Sequence, residues 1–236
     1  MKAVVLAGGK GSRLQPYTKI LPKPLMPIGD MPILEILLHQ LRQAHVDEVH
    51  LAVGHLAGLL RAFFENGERF GLKIHYSYEE RPLGTAGPLS LVSSLNEPFL
   101  VMNGDVLTTL NLASLLKAHC QSNAIATIAV HQRQVRLDLG VLELNGSNEI
   151  LNYLEKPTYY YTVSMGIYVF DPRVLLYIPS NHHLDLPDLI LNMIKHGERL
   201  NAYLYDGYWQ DLGNPDDYEQ AIRDFDKLKP QILGEA

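Results

Sequence analysis

A chain of 236 residues with one cysteine cannot close a disulfide within itself, and a reducing compartment is its simplest setting. That residue, Cys120, lies in "KAHCQSN", which reads as a helix end carrying a buried or inert thiol rather than a nucleophile. Positive charge is also scarce: 20 lysines and arginines against 26 acidic residues leave a net charge of −6. This excludes broad attraction to nucleic acid or to an anionic membrane, so any basic patch has to be local. No apolar run approaches the roughly 20 residues of a membrane span, and "MKAVVLA" meets Gly8 and Gly9 before a signal peptide's apolar region would be complete. The expectation is a cytoplasmic protein with neither nucleic acid nor membrane as partner. Repeats, low-complexity tracts and linkers are missing. So is any H-E-x-x-H: His45, His50 and His55 recur every five residues, which fits neither one helical face nor one strand face, and with His182 and His183 they do not read as a metal set. No Ser-His-Asp or Cys-His arrangement can be assembled.

What is present is a chain 47% hydrophobic, enough for a substantial core. Strand-length apolar runs (2–7, 48–53, 72–77, 98–103) alternate with helical periods in the first half. Ile33, Leu37, Leu41 and Ala44 line one helical face, and Leu59, Leu60, Phe63 and Phe64 another. This alternation predicts a parallel sheet covered on both faces. The second half is richer in strands (124–130, 139–144, 149–155, 164–170, 200–206), joined in part by a "KPTYYY" loop, and predicts an antiparallel extension of the sheet. One helix ends at Gly197, and a last one starts after Asn214 with Pro215 in its first turn. The expected fold is α/β: a single-domain, doubly wound, Rossmann-like mixed sheet over residues 1–228, with a frayed tail at 229–236.

The first turn, "LAGGKGSRLQPYTKILPKPL", is rich in glycine, proline and cations. It is not a P-loop, because no glycine stands five positions before a Gly-Lys-Ser/Thr triplet, and Leu14 occupies the third glycine of a dinucleotide fingerprint. Gly8, Gly9 and Gly11 nonetheless let backbone N–H groups approach an anion, Arg13 brings a fork of donors, and Pro22 and Pro24 hold Lys23 stiffly. Taken alone, the loop reads equally as a surface turn with solvated lysines.

"LAGGKGSRLQPYTKILPKPLMPIG" resembles the signature of the sugar-1-phosphate nucleotidylyltransferases, the pyrophosphorylases that make nucleotide sugars. The resemblance continues through "EERPLGTAGPL" (79–89), "VMNGDVL" (101–107), "LEKP" (154–157), "SMGIYVF" (164–170) and "YWQDLGNPDDY" (208–218), over about residues 1–225. It implies the nucleotide-diphospho-sugar transferase fold and a reaction between a nucleoside triphosphate and a sugar 1-phosphate. The nucleophile would be a phosphate oxygen already ionised near neutral pH, which needs no general base.

By this resemblance Leu6, Ala7, Gly8, Gly9, Gly11 and Ser12 cradle the triphosphate. Arg13 holds the departing β- and γ-phosphates, and Lys23 serves the α-phosphate or the gap between the substrates. Lys156 clamps the sugar phosphate, Glu155 binds sugar hydroxyls, and Gly140 and Gly166 leave room for the ring. Asp105 and Asp211 hold Mg²⁺, a hard ion suited to carboxylate oxygens. Glu80, Gly84 and Thr85 embrace base and ribose, with Glu80 facing a guanine edge. Outside the resemblance, Asp105 reads equally as a turn residue and Thr85 as a helix cap. Tyr159, Tyr160 and Tyr161 fit substrate stacking, a strand edge or a contact in a homo-oligomer.

Asn214-Pro215 replaces the family's frequent Thr-Pro, Pro88 stands where a small helix former is usual, and no hexapeptide β-helix follows, as in the short, catalytic-domain-only members. The pattern leans towards mannose-1-phosphate and heptose-phosphate guanylyltransferases, hence GTP. Glucose 1-phosphate with UTP, dTTP or CTP is the alternative. A non-catalytic nucleotide-sugar-binding regulatory subunit is a reading of another class. A metal-dependent glycosyltransferase would need aspartate where Asn103 stands.

Overall fold

The computed structural model describes residues 1–79 and 81–234. In chain order its strands are β1 (Lys2–Ala7), β2 (Pro27–Ile28), β3 (Met31–Pro32), β4 (Glu48–Val53), β5 (Lys73–Tyr78), β6 (Phe99–Asn103), β7 (Val106–Thr108), β8 (Ala126–Arg136), β9 (Val141–Leu144), β10 (Ile150–Leu154), β11 (Thr158–Phe170), β12 (Leu200–Tyr205) and β13 (Trp209–Asp211). The α-helices are α1 (Ile33–Gln43), α2 (Ala57–Phe64), α3 (Leu112–Cys120), α4 (Leu186–Lys195) and α5 (Pro215–Leu233). Seven strands form one sheet in the order β12-β8-β11-β6-β1-β4-β5. All pairings in it are parallel except those of β11, which runs antiparallel to both β6 and β8. The mixed, mostly parallel sheet expected from the sequence is therefore present, its reversal confined to one strand; β9 and β10, expected to extend it, instead pair with each other as a separate two-stranded ribbon.

Period-two alternation assigns each strand residue to a face. Ala3, Val5 and Ala7 of β1 and Leu100 and Met102 of β6 pack with Leu34, Leu37, Leu38 and Leu41 of α1, with Leu60 and Phe64 of α2 and with Leu115 of α3. On the other face Val4, Phe99 and Val101 meet Leu89, Val92, Leu186, Leu189 and Met193. A third core joins the opposite side of α1 (Ile33, Ile36) to Leu14, Met26, Ile28, Leu107, Leu212 and the α5 residues Ala221, Phe225 and Ile232. This last cluster seats the opening loop and β13 against one another. Truncating Phe225 to alanine is expected to cost about 3–5 kcal/mol, as buried phenylalanines generally do.

Local signals explain most boundaries. The Asn214 carboxamide oxygen accepts the Asp217 N–H at 2.9 Å, with Pro215 opening α5. Asn111 caps α3 in the same way through the Ser114 N–H, at 2.9 Å. Three further details differ from the sequence reading. The helix expected to fray after 228 runs to Leu233, because Ile232 is buried in the third core and Lys229 pairs with Asp30 at 2.8 Å. Pro230 is accommodated in its last turns, and its carbonyl accepts the Gly234 N–H. The "KPTYYY" segment is strand rather than loop: Tyr159, Tyr160 and Tyr161 continue β11 and pair with Val135, Gln134 and Arg133 of β8. Cys120 does end a helix, but it is exposed.

Candidate active site

The C-terminal ends of the parallel strands β1, β4 and β6 lie side by side, and there the backbones approach closely. The Gly104 N–H donates to the Leu6 carbonyl at 2.9 Å. A Cβ on Gly104 would stand 2.9 Å from that same oxygen, and one on Gly54 3.0 Å from the Gly8 carbonyl. From this edge the opening loop leaves β1. Gly11 takes a left-handed φ of 59°, and its carbonyl accepts both the Leu14 N–H (2.9 Å) and the Thr18 hydroxyl (2.7 Å). Leu14 is buried in the third core, which fixes the tight 3₁₀ turn Ser12–Leu14 and turns Arg13 outwards.

The two aspartates come together through a ribbon. β7 and β13 pair antiparallel with Val106 opposite Asp211, so Asp105, one residue before β7, lies beside the end of β13. The Leu212 N–H donates to the Asp105 carbonyl at 2.9 Å and closes the arrangement. The Trp209 indole N–H donates to the Met165 carbonyl at 3.1 Å and ties the ribbon to β11.

Lys23 is buried between its prolines, and its ammonium pairs with an Asp105 carboxylate oxygen. Gly213 sits where a Cβ would meet the Arg13 guanidinium at 2.8 Å and the Asp211 carboxylate at 3.0 Å, so glycine there lets these groups approach. Burial, and then the like charge of Asp105, push the Asp211 carboxyl above the usual aspartate range. Lys23, Arg13 and the Gly213 N–H pull it back.

Two adjoining cavities open at these strand ends. One, of about 210 Å³, is lined by Leu6, Ala7, Gly9, Gly11, Ser12, Arg13, Lys23, Asp105 and Gly213 among others. The second, of about 370 Å³, shares Leu6, Gly9 and Asp105 and adds Gly8, Glu79, Pro82, Gly84, Thr85, Asn103 and His183. Among the described residues, those expected around a triphosphate and around base and ribose therefore border these two cavities.

The structure also gives two of them local duties. Gly84 has φ 77°, and a Cβ there would come within 2.5 Å of the Leu184 carbonyl. The Thr85 hydroxyl accepts the Leu186 N–H at 2.7 Å, capping α4 from outside the helix. Glu80 lies outside the described residues. Its neighbour Glu79 lines the second cavity and accepts the Leu83 N–H at 2.8 Å.

The residues expected at the sugar phosphate are less gathered. Gly166, with φ 72°, sits at an irregularity in the β11–β8 register, where a Cβ would meet the Asn103 side chain at 2.5 Å; it thus backs a residue of the second cavity. Glu155 and Lys156 follow β10 on the β9–β10 ribbon, both exposed, with Glu155 accepting the Tyr153 hydroxyl at 3.0 Å. Gly140, just before β9, faces the Tyr153 ring. None of these three lines either cavity.

Sequence reasoning did not single out Asn103, Gly104, Gly213, Glu79 or His183 as site residues. The first four lie within motifs already recognised, "NGD", "DLG" and "EERPLGTAGPL". His183 arrives from a separate loop and carries no local signal.

A family model described as "Nucleotidyl transferase" matches residues 2–227. A UTP–glucose-1-phosphate uridylyltransferase of Synechocystis sp. is 37% identical over 243 residues, covering 94% of this chain and 63% of that protein. The mannose-1-phosphate guanylyltransferase catalytic subunit beta of Danio rerio is 36% identical over 226 residues, covering 92% of this chain and 62% of its own length. The chain thus spans somewhat under two thirds of these relatives. A crystal structure of a Bacillus anthracis protein described as a glucose-1-phosphate thymidylyltransferase, solved with sucrose, superimposes with a TM-score of 0.74 at 26% identity, covering 94% of both chains.

Proposed function

The chain belongs to the nucleotidyl transferase family, and from that premise we propose that it joins a nucleoside triphosphate to a sugar 1-phosphate. An oxygen of the sugar phosphate attacks the α-phosphorus, the bond from that phosphorus to the bridging oxygen breaks, and pyrophosphate leaves. One observation carries this reading: Arg13, Lys23, Asp105 and Asp211, drawn from four separate segments, converge at the ends of the parallel strands beside a glycine-lined cavity.

The difficulty of the reaction is to bring two polyanions into line and to neutralise the departing charge, a task for positioning and fixed cations. Glycine N–H groups of the first loop bind the triphosphate oxygens, and Arg13 takes the charge of the leaving pyrophosphate. Lys23 is held between prolines beside Asp105, where it meets the reacting phosphate. Lys156 and Glu155 come from the far ribbon to hold the sugar phosphate and sugar hydroxyls. Asp105 and Asp211 fit a divalent cation such as Mg²⁺: both offer hard carboxylate oxygens, and burial together with the like charge of Asp105, which raise the Asp211 carboxyl, are offset by positive charge between them. Such an ion, when bound, would neutralise phosphate charge.

For the substrate pair, GTP with mannose 1-phosphate or a heptose 1-phosphate follows from the motif pattern and agrees with the guanylyltransferase relative. UTP with glucose 1-phosphate is the second reading, favoured by the uridylyltransferase relative of similar identity. The test is a panel of GTP, UTP, dTTP, CTP and ATP against mannose, glucose and heptose 1-phosphates, read as pyrophosphate released in the presence of Mg²⁺. One pair should dominate, and omission of any component should abolish release. Nucleotide-sugar binding without turnover on any pair would instead assign the regulatory-subunit reading.

A further inference from the structure

Away from the cavities, β4 and β5 set a second group of ligating side chains together. His50 and His75 are direct partners in the parallel register, and Glu48 lies two residues before His50, hence on the same face of the sheet. The two imidazoles stack with centroids 4.9 Å apart and planes 21° from parallel. One ligand atom from each of Glu48, His50 and His75 lies within 4.8 Å of the other two. His50 Nε2 is buried and has no hydrogen-bond partner among the described residues. Buried polar atoms are paired in the great majority of cases, and a ring nitrogen left dry beside a second imidazole and a carboxylate is a donor awaiting an acceptor of its lone pair or proton. His75 is exposed, so an ion reaches the group from solvent on the free-edge strand.

We propose that Glu48, His50 and His75 bind a transition-metal dication of the Zn²⁺ type, with solvent in the remaining position. Two imidazole nitrogens and one carboxylate are a borderline donor set that suits Zn²⁺ and does not suit Mg²⁺. The site is structural. It bridges β4 to the edge strand β5, and Glu48 opens β4 whereas the cavities gather beyond the other end of that strand, where Gly54 meets Gly8. Lys2, whose ammonium lies 3.5 Å from the Glu48 carboxylate and donates to the Ser94 carbonyl at 2.8 Å, retains the second partner when Glu48 turns to a metal. The five-residue histidine spacing concealed this group, because its members are His50 and a residue on the neighbouring strand.

The experiment uses the full chain without an affinity tag, stripped with chelator, and titrates Zn²⁺ calorimetrically. Co²⁺ serves as a visible-absorption probe of the ligand field. To exclude binding at the aspartate pair, the same titration is run on Asp105→Asn/Asp211→Asn. The expected result is one Zn²⁺ per chain in both proteins, a tetrahedral-type Co²⁺ spectrum, and a Tm that rises with Zn²⁺. His75→Gln, an exposed position, and His50→Gln should each weaken binding at least tenfold and remove the Tm response. His75→Gln should keep pyrophosphate release unchanged. Equal Zn²⁺ affinity in wild type and His75→Gln, or no Zn²⁺ bound by the stripped wild type at micromolar concentration, would overturn the site, and neither outcome bears on the proposed reaction.

Discussion

On the side of the site assigned to the nucleotide, Lys23, Asp105 and Asp211 are fixed by something other than a ligand. Arg13 is turned outwards by buried Leu14, Lys23 is held by two prolines and Asp105, and Asp211 is carried in by the β7–β13 pairing. On the side assigned to the sugar phosphate, Glu155 and Lys156 stand exposed on a two-stranded ribbon, touching neither cavity. Fixed charges lower the cost of organising a polyanion before it arrives, whereas exposed charges on a ribbon are recruited by the substrate they meet. The contrast implies that the nucleotide half is organised in advance and the sugar half is completed by binding.

The largest effect that tests this contrast belongs to Asp105→Asn. It should lower pyrophosphate release roughly 10³-fold, the scale of losing a central electrostatic group. Its Tm should fall as well, because the buried Lys23 ammonium loses its carboxylate partner; a loss of stability with pyrophosphate release near wild type would make Asp105 merely a structural residue. Lys156→Ala should cost less, about 10–100-fold, and the loss should appear as a raised KM for the sugar 1-phosphate with the KM for nucleotide unmoved. A loss as deep as that of Asp105→Asn, falling on kcat alone, would break the contrast.

Glycines separate binding from folding on the nucleotide side. A Cβ on Gly9 meets nothing within 4 Å, yet Gly9 lines both cavities. Gly9→Ala should therefore raise the nucleotide KM by about tenfold at unchanged Tm. Gly84→Ala should do the reverse in stability, losing about 1–3 kcal/mol, because its left-handed φ and the Leu184 carbonyl 2.5 Å away both resist a side chain. Equal melting temperatures for the two variants would remove the distinction.

The smallest effect concerns pH in metal-free buffer. Burial and Asp105 raise the Asp211 carboxyl in the folded state above its ordinary 3.8. The folded protein then binds this proton more tightly than the unfolded chain, so Asp211 costs stability at neutral pH, and the cost fades as pH falls through its folded pKa towards 3.8. Asp211→Asn should accordingly raise Tm modestly at pH 7 and lose that advantage near pH 4 and below. A constant difference across this range would contradict the electrostatic reading of the pair.

Much of this architecture was readable in the residues. Strands such as "KAVVLA" and "PFLVMN" announce themselves because both faces are buried, and Asn214-Pro215 marks the start of α5 through a cap that the structure contains. The pairing of Asp105 with Asp211 was legible only through the resemblance, since no periodicity connects residues so far apart; the ribbon that joins them is made of two strands of three residues each. Tyr159 to Tyr161 misread as loop because Pro157 and a polar start obscure a strand whose partner, β8, carries little apolar pattern beyond Val130. The end of α5 was hidden by Pro230, a residue that usually stops a helix because it lacks an N–H for the carbonyl four residues earlier; here buried Ile232 and the Lys229–Asp30 pair hold the helix past it. The Gly84 and Thr85 contacts to residues 184–186 belong to tertiary packing and leave no trace in local sequence.

The central claim is that Asp105 and Asp211 act together on a triphosphate held by the opening loop. Its most direct test is a crystal structure of the chain with Mg²⁺ and the preferred nucleoside triphosphate. The account predicts one ion within about 2.0–2.1 Å of carboxylate oxygens from both aspartates, with the phosphates against Gly8, Gly9, Gly11 and Arg13. A triphosphate lying elsewhere, or an ion held by neither aspartate, would contradict it.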